Sequence, residues 1–325
     1  MNARPGINLL ILLLASCAVL VLCSALGASG IGWPDPSTAT GSAILAMRIR
    51  RVLAGFAVGA ALACAGCIFQ ALLRNPLAEP YVLGVSSGAG LGAALAIISG
   101  LAAAWSAFLP LCAFAGAGLT LAAVFALASH KGSPSVYGLI ISGVIVSSIA
   151  GSLLMFVVAV APVEGLHTIL WWMLGNLEPD SKAMLAAASC VIAVSGALVW
   201  SMAPELNALT LGTEAAHYVG VRTSSVALAG LALATLMTGA AVSMAGLIGF
   251  VGLIVPHVMR RAVGPDHRIL IPASVLAGGA FLSACDAVGR TIMAPVEIPV
   301  GVVTALCGGP FFLAVLRRKK TGWIE

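Results

Sequence analysis

Residues 84–88 of this chain, Gly-Val-Ser-Ser-Gly, spell G-x-S-x-G. On a strand-turn-helix of an α/β sheet that pattern presents a nucleophilic serine, here Ser86. Cys64 and Cys67 have the C-x-x-C spacing of a redox pair or of half a metal site. Residues 47–51, Met-Arg-Ile-Arg-Arg, crowd Arg48, Arg50 and Arg51 together, and Arg290 closes the stretch "CDAVGR" far along the chain. Arginine forks match carboxylates in shape and charge, so these residues could receive an acidic partner.

What surrounds each group decides among these chemistries. Only 8% of residues are charged and 61% are hydrophobic, and the mean hydropathy is +1.11. A helix crossing the hydrocarbon core needs about 20 mostly apolar residues. Stretches of that kind lie near 7–27, 53–73, 82–103, 106–129, 136–160, 182–203, 224–242, 245–262, 269–292 and 298–316. The expectation is an all-α polytopic membrane protein of about ten spans in one domain, residues 1–325, because lipid leaves no partner for unpaired backbone. The first run admits a second reading as a signal segment with "LASC" (14–17) at its end, but it is longer than the usual ~7–15-residue signal core.

That setting removes most of the candidate chemistry. Both flanks of residues 84–88 are spans, so the serine has no sheet to stand on. All eight cysteines fall inside apolar runs, where a thiol behaves as a small hydrophobe, and no histidine or acid accompanies Cys64 and Cys67. The only Lys followed by Ser or Thr is Lys320, and Lys319 stands before it where a phosphate-binding loop needs glycine. No catalytic residue, metal site, cofactor or nucleic-acid partner is expected. The chain is read as a transporter component rather than an enzyme, with its energy coming from another subunit or a gradient.

Charge sets the orientation. With the N-terminus in the cytoplasm, eleven Lys and Arg fall inside and five outside, which fits the positive-inside rule. The tail "RRKK" (317–320) is the strongest anchor. Arg48, Arg50, Arg51, Lys182 and Arg290 are the outward exceptions. They are expected on the outer surface, either snorkelling at the interface or forming a docking surface.

Spacing then identifies faces and turns. Gly84, Gly88 and Gly92 share one helical face, the small-xxx-small pattern that lets helix backbones approach closely in lipid; Ser86 and Ser87 beside it are candidates to line a polar path. Pro76 and Pro80 stiffen the turn "RNPLAEP" before it. Residues 203–225 are longer than a simple connector needs. They read as two short helices around Gly212 with apolar residues interleaved, a surface for another protein. Residues 160–180, with Trp171 and Trp172, read as an interfacial helix.

Five stretches together, "LLRNPLAEPYVLGVSSGAG" (72–90), "LNALTLGTEAAHYVGV" (206–221), "GLIGFVGLIVPHVMRR" (246–261), "DHRILIPASVLAGGAFLSACD" (266–286) and "EIPVGVVTALCGGPFF" (297–312), resemble the FecCD permease family from about residue 47 onward. These are membrane subunits of type II ABC importers for iron-siderophores, haem and cobalamin. The resemblance implies a ten-helix subunit in the bacterial inner membrane with both termini cytoplasmic. It also implies a second permease subunit, a homodimer being the expectation, two cytoplasmic ATPases and a periplasmic substrate-binding protein.

By position, the resemblance makes Arg48, Arg51 and Arg290 receivers of glutamates on the binding protein, with Arg50 where the family often has proline. It makes Asn75 and Leu77 an inner gate and places a second gate near Ser133 and Ser135. Gly84, Ser86, Ser87 and Gly88 would line the translocation path, a wide, weakly polar wall at the subunit interface. Residues 205–222 resemble coupling helices, with Leu211, Gly212, Glu214, Ala215, Gly220 and Val221 against the ATPase. The alternative is a gradient-driven carrier. Such proteins keep ionisable groups within spans, whereas the acids here fall in loops or near span ends. The path residues carry no code for one cargo; iron-siderophore is the expectation by family frequency.

Overall fold

The computed structural model describes residues 5–28, 30–130, 133–134, 136–178 and 181–319. Helix α1 (Pro5–Ala25) leads into a small antiparallel hairpin, β1 (Leu26–Gly27) with β2 (Gly30–Ile31). Helix α2 (Ala39–Leu72) is followed by a 3-10 turn (Pro80–Leu83), α3 (Val85–Ile98), the single turn α4 (Leu101–Ala104) and α5 (Phe108–Ala128). A second hairpin, β3 (Ser129–His130) with β4 (Ser133–Pro134), precedes α6 (Val136–Val160) and α7 (Val163–Leu174). The remainder is α8 (Lys182–Ser201), α9 (Ala203–Thr210), α10 (Thr213–Tyr218), α11 (Thr223–Ala245), α12 (Val251–Val263), α13 (His267–Thr291) and α14 (Val300–Lys319).

Every expected span has a helix, but they differ in reach. Seven helices among the described residues are long and apolar enough to cross a membrane. The other three expected spans shorten to Val85–Ile98, Val251–Val263 and the apolar part of α14, Val300–Val315. Glycine accounts for much of this. Gly84 (φ 82°) and Gly100 (φ 76°) bracket α3, and Gly246 (φ 72°) begins a non-helical break of residues 246–250 that separates α11 from α12. The division of 224–262 into two helices is therefore real, and the break is built into the sequence.

Helix α2 is the axis of the bundle. Residues 57–73 are buried without interruption, and α13, α11, α12 and α8 pack around them. Its start is fixed by Thr38, whose Oγ1 accepts the Gly41 N–H at 3.0 Å. Close packing rests on paired small residues. A Cβ on Gly66 would strike the Gly252 carbonyl of α12, and one on Gly59 the Gly278 carbonyl of α13. Backbones that touch in this way gain van der Waals contact where lipid supplies no hydrophobic drive between helices.

Prolines inside α12 and α13 each free a carbonyl, because proline has no N–H to give the residue four positions before it. Both carbonyls are taken by side chains from other helices. Gln70 Nε2 of α2 donates to Gly252 O at 3.2 Å, opposite Pro256, and Trp200 Nε1 of α8 donates to Arg268 O at 2.9 Å, opposite Pro272. The kink-prone points are thereby tied to neighbours, which satisfies buried backbone.

Candidate functional site

The arginine end of the molecule is an ion cluster in the interior. Arg51 Nε lies 3.1 and 3.2 Å from the two Asp286 oxygens, and its Nη2 reaches Asp286 Oδ1 at 3.0 Å and Glu297 Oε2 at 2.8 Å. Arg290, one turn beyond Asp286 on α13, sets Nε 2.9 Å from Asp286 Oδ2 and donates from Nη1 to Leu26 O at 3.1 Å. Arg48 donates to the carbonyls of Ala25, Gly30 and Gly32. Arg48, Arg51 and Arg290 are only 4, 9 and 2% exposed. The expectation of a solvent-facing arginine surface is thus corrected. Carbonyls in and beside the β1–β2 hairpin take Arg48 and Arg290, and internal carboxylates take Arg51 Nε and Nη2, because a guanidinium packed against helices must find fixed acceptors. Arg50, half-buried, bonds back to Ala46 O.

Beside this cluster opens a cavity of about 460 Å³ that Arg51, Glu297, His167, Trp171 and Asn176 help to line. Helix α7 lines one side of it with His167, Thr168, Trp171 and Trp172, and Trp171 Nε1 donates to His167 Nε2 at 2.7 Å.

At the opposite end lies the turn after α2. Asn75 Oδ1 accepts the Leu77 N–H at 2.9 Å and Asn75 O accepts the Ala78 N–H at 3.0 Å, an Asx turn stiffened by Pro76. Leu77 stands at its tip, 40% exposed. Arg74 enters the turn with φ 47°. Glu79 leaves it and accepts the Phe250 N–H on Oε1 at 2.6 Å. Burial raises the Glu79 pKa, and the Phe250 N–H pulls it the other way. Ser133 pairs through its backbone in the β3–β4 hairpin; Ser135 lies outside the described residues, as do Arg4, Lys131, Asp180 and Lys320.

The glycine face after the turn packs instead of lining an opening. A Cβ on Gly88 would collide with Thr120 and the Gly116 carbonyl of α5, and one on Gly92 with the Cys112 carbonyl. At Gly88 the missing side chain is what lets α3 and α5 touch. Gly84 makes the left-handed turn into α3 against Ser147 of α6. Ser86 and Ser87 are half-buried, and Ser87 Oγ donates to Gly84 O at 3.1 Å.

The 203–222 elbow is two short helices, α9 and α10, broken at Gly212 (φ 120°) and released at Gly220 (φ 85°). It is anchored from inside by Leu206, Leu209 and Ala216, all buried. Its outer surface shows Leu211 and Val219, 79 and 72% exposed, together with exposed Glu214, Ala215 and Gly220; Gly212 and Val221 are half-buried. A Cβ on Gly212 would sit 3.6 Å from Arg74 Nη1, so elbow and gate turn are neighbours. Asn207 of α9 donates from Nδ2 to Asp266 Oδ1 at 2.7 Å and accepts on Oδ1 from the His267 N–H at 2.9 Å. The His267 ring nitrogen Nδ1 lies 2.7 Å from the same oxygen and must carry the proton, since that oxygen only accepts. The Arg268 N–H, then the Asn207 amide, hold the Asp266 carboxyl below its usual range.

Comparison with known proteins fits this layout. The model of the FecCD transport family matches residues 9–318. The chain belongs to the FecCD transport family. A cobalamin import system permease protein of Halobacterium salinarum is 42% identical over 84% of this FecCD chain and 73% of its own. A hemin transport system permease protein of Yersinia pestis is 36% identical over 95% of this chain and 96% of its own. A solved structure described as an inward-facing conformation of a metal-chelate type ABC transporter superposes with TM-score 0.88 at 28% identity, covering 97% of this chain and 100% of that one.

Four residues of this FecCD chain that organise both ends escaped the reading from sequence: Glu297, Glu79, Asn207 and Asp286 as a shared counter-ion. Asp286 and Arg290 did carry a signal, the i, i+4 spacing of a helical ion pair. The other three act across long sequence separations and carried none.

Proposed function

We propose that this chain is the permease subunit of a binding-protein-dependent ABC importer for a bulky metal chelate of the cobalamin, haem or iron-siderophore kind. It would work as a dimer in the bacterial inner membrane, with both termini cytoplasmic. The observation that carries the reading is the elbow. A connector that buries its own apolar anchors and still offers Leu211 and Val219 outward has the form of a docking knob for a second protein. Two ATPases would grip the two elbows of a dimer and impose rigid-body rocking on the spans.

A periplasmic binding protein would sit at the arginine end. Arg51 faces the cavity there, next to Glu297. In this reading Arg48 and Arg290 act by holding the β1–β2 hairpin in place, and Arg51 is the fork within reach of an incoming carboxylate. The test is reconstitution of the chain with its nucleotide-hydrolysing partner and binding protein in sealed vesicles. Uptake that needs ATP and survives collapse of ion gradients is expected. Uptake by the permease alone on an ion gradient would replace this reading with a secondary carrier. The chelate that co-purifies with the binding protein identifies the cargo.

A further inference from the structure

Helix α12 is fastened at both ends by side chains of neighbouring elements. At its beginning, Phe250 takes a left-handed conformation (φ 70°) with no cap of its own, and its N–H is held by Glu79 of the gate turn at 2.6 Å. Tyr81, two residues on, accepts the Ile248 N–H on its hydroxyl at 3.1 Å. The same turn therefore grips the break from both sides of Gly249. At the far end only Gly264 and Pro265 separate α12 from Asp266, the residue that Asn207 of the elbow holds at 2.7 Å. Proline fixes φ and leaves this corner little slack.

The shaft between is also secured. Gln70, in the last turn of α2, donates to Gly252 O and accepts from Arg260 Nη2 at 2.9 Å, so the helix that ends in the gate turn moves with α12. Thirteen residues of helix reach about 20 Å. The 246–250 break interrupts the helical ladder between α11 and α12, so the gate turn, rather than α11, holds the start of α12.

We infer that Asn207 and Glu79 are positioning residues clamping α12 as a strut that carries displacement of the elbow to the gate turn. The inference rests on the reading of the elbow as an ATPase dock. Its residues act in series, which gives a signature that simple destabilisation lacks.

The experiment uses the full transporter in vesicles and reads cargo taken up per ATP hydrolysed. Hydrogen bonds to charged or buried partners are strong enough that Glu79→Leu and Asn207→Ala should each lower that ratio roughly tenfold. Glu79→Gln, which retains an acceptor oxygen, should restore it. The Glu79→Leu, Asn207→Ala double variant should be no worse than the poorer single, because a linkage cut once is already cut. An unchanged ratio in both singles, a Gln variant as impaired as the Leu variant, or an additive loss in the double would each overturn the strut. If Glu79→Leu fails to assemble, Asn207→Ala alone decides by the same ratio. A wild-type complex without ATP-driven uptake would defeat the importer reading instead.

Discussion

Asp286 is the residue on which the arginine end depends. It is 3% exposed and stands between two guanidiniums. Removing one member of a buried ion cluster leaves the others uncompensated, which costs about 3–5 kcal/mol. Asp286→Ala should lose stability of that order in chemical denaturation of the detergent-solubilised protein, and Glu297→Ala, at a 38% exposed carboxylate, should lose far less. Equal losses would show that the two carboxylates share the load.

Asp266 makes a prediction in pH. Its folded pKa lies below the ordinary aspartate value of 3.8. Its contribution is therefore fully present above that value and fades as pH falls through the lower, folded one. Asp266→Asn keeps one acceptor oxygen but no charge. The stability difference between the two proteins should narrow only below about pH 4, as read from thermal unfolding at a series of pH values.

Among elements, the α2–α12 contact is the most demanding. Gly66 and Gly252 leave no room for a methyl group, and Gln70 of α2 ties the same two helices together through Gly252 O and Arg260. Gly66→Leu should destabilise by at least ~3 kcal/mol, beyond ordinary overpacking, because backbone rather than a flexible side chain must give way. Gly118→Leu, on α5 with open space around it, should be tolerated. Both are read by the temperature at which the solubilised protein loses its monodisperse elution.

For the whole molecule, the gate is the testable motion. Leu77 stands on a turn stiffened by Pro76 and held by Glu79. In the proposed dimer a cross-link between the two Leu77→Cys positions should stop uptake while ATP hydrolysis continues. Unchanged uptake with the cross-link complete would move the gate elsewhere.

The membrane class, the ten helical segments, the two-helix elbow around Gly212 and the family itself were legible in the sequence. Each follows from local facts: apolar runs of spanning length, glycines at turns, and short motifs in a fixed order. Lengths were less legible, since α3 and α12 end where glycines and tertiary contacts stop them. What only the tertiary structure decided is which side chains meet. Arg48, Arg51 and Arg290 read as an outward surface because a sequence shows charge and position but not the partner. Asp286 lies 235 residues from Arg51, and the bond between them exists only because α2 and α13 cross at glycines. Gly88 read as the wall of a path for the same reason: a missing side chain means open space or close contact, and only the neighbouring helix decides which.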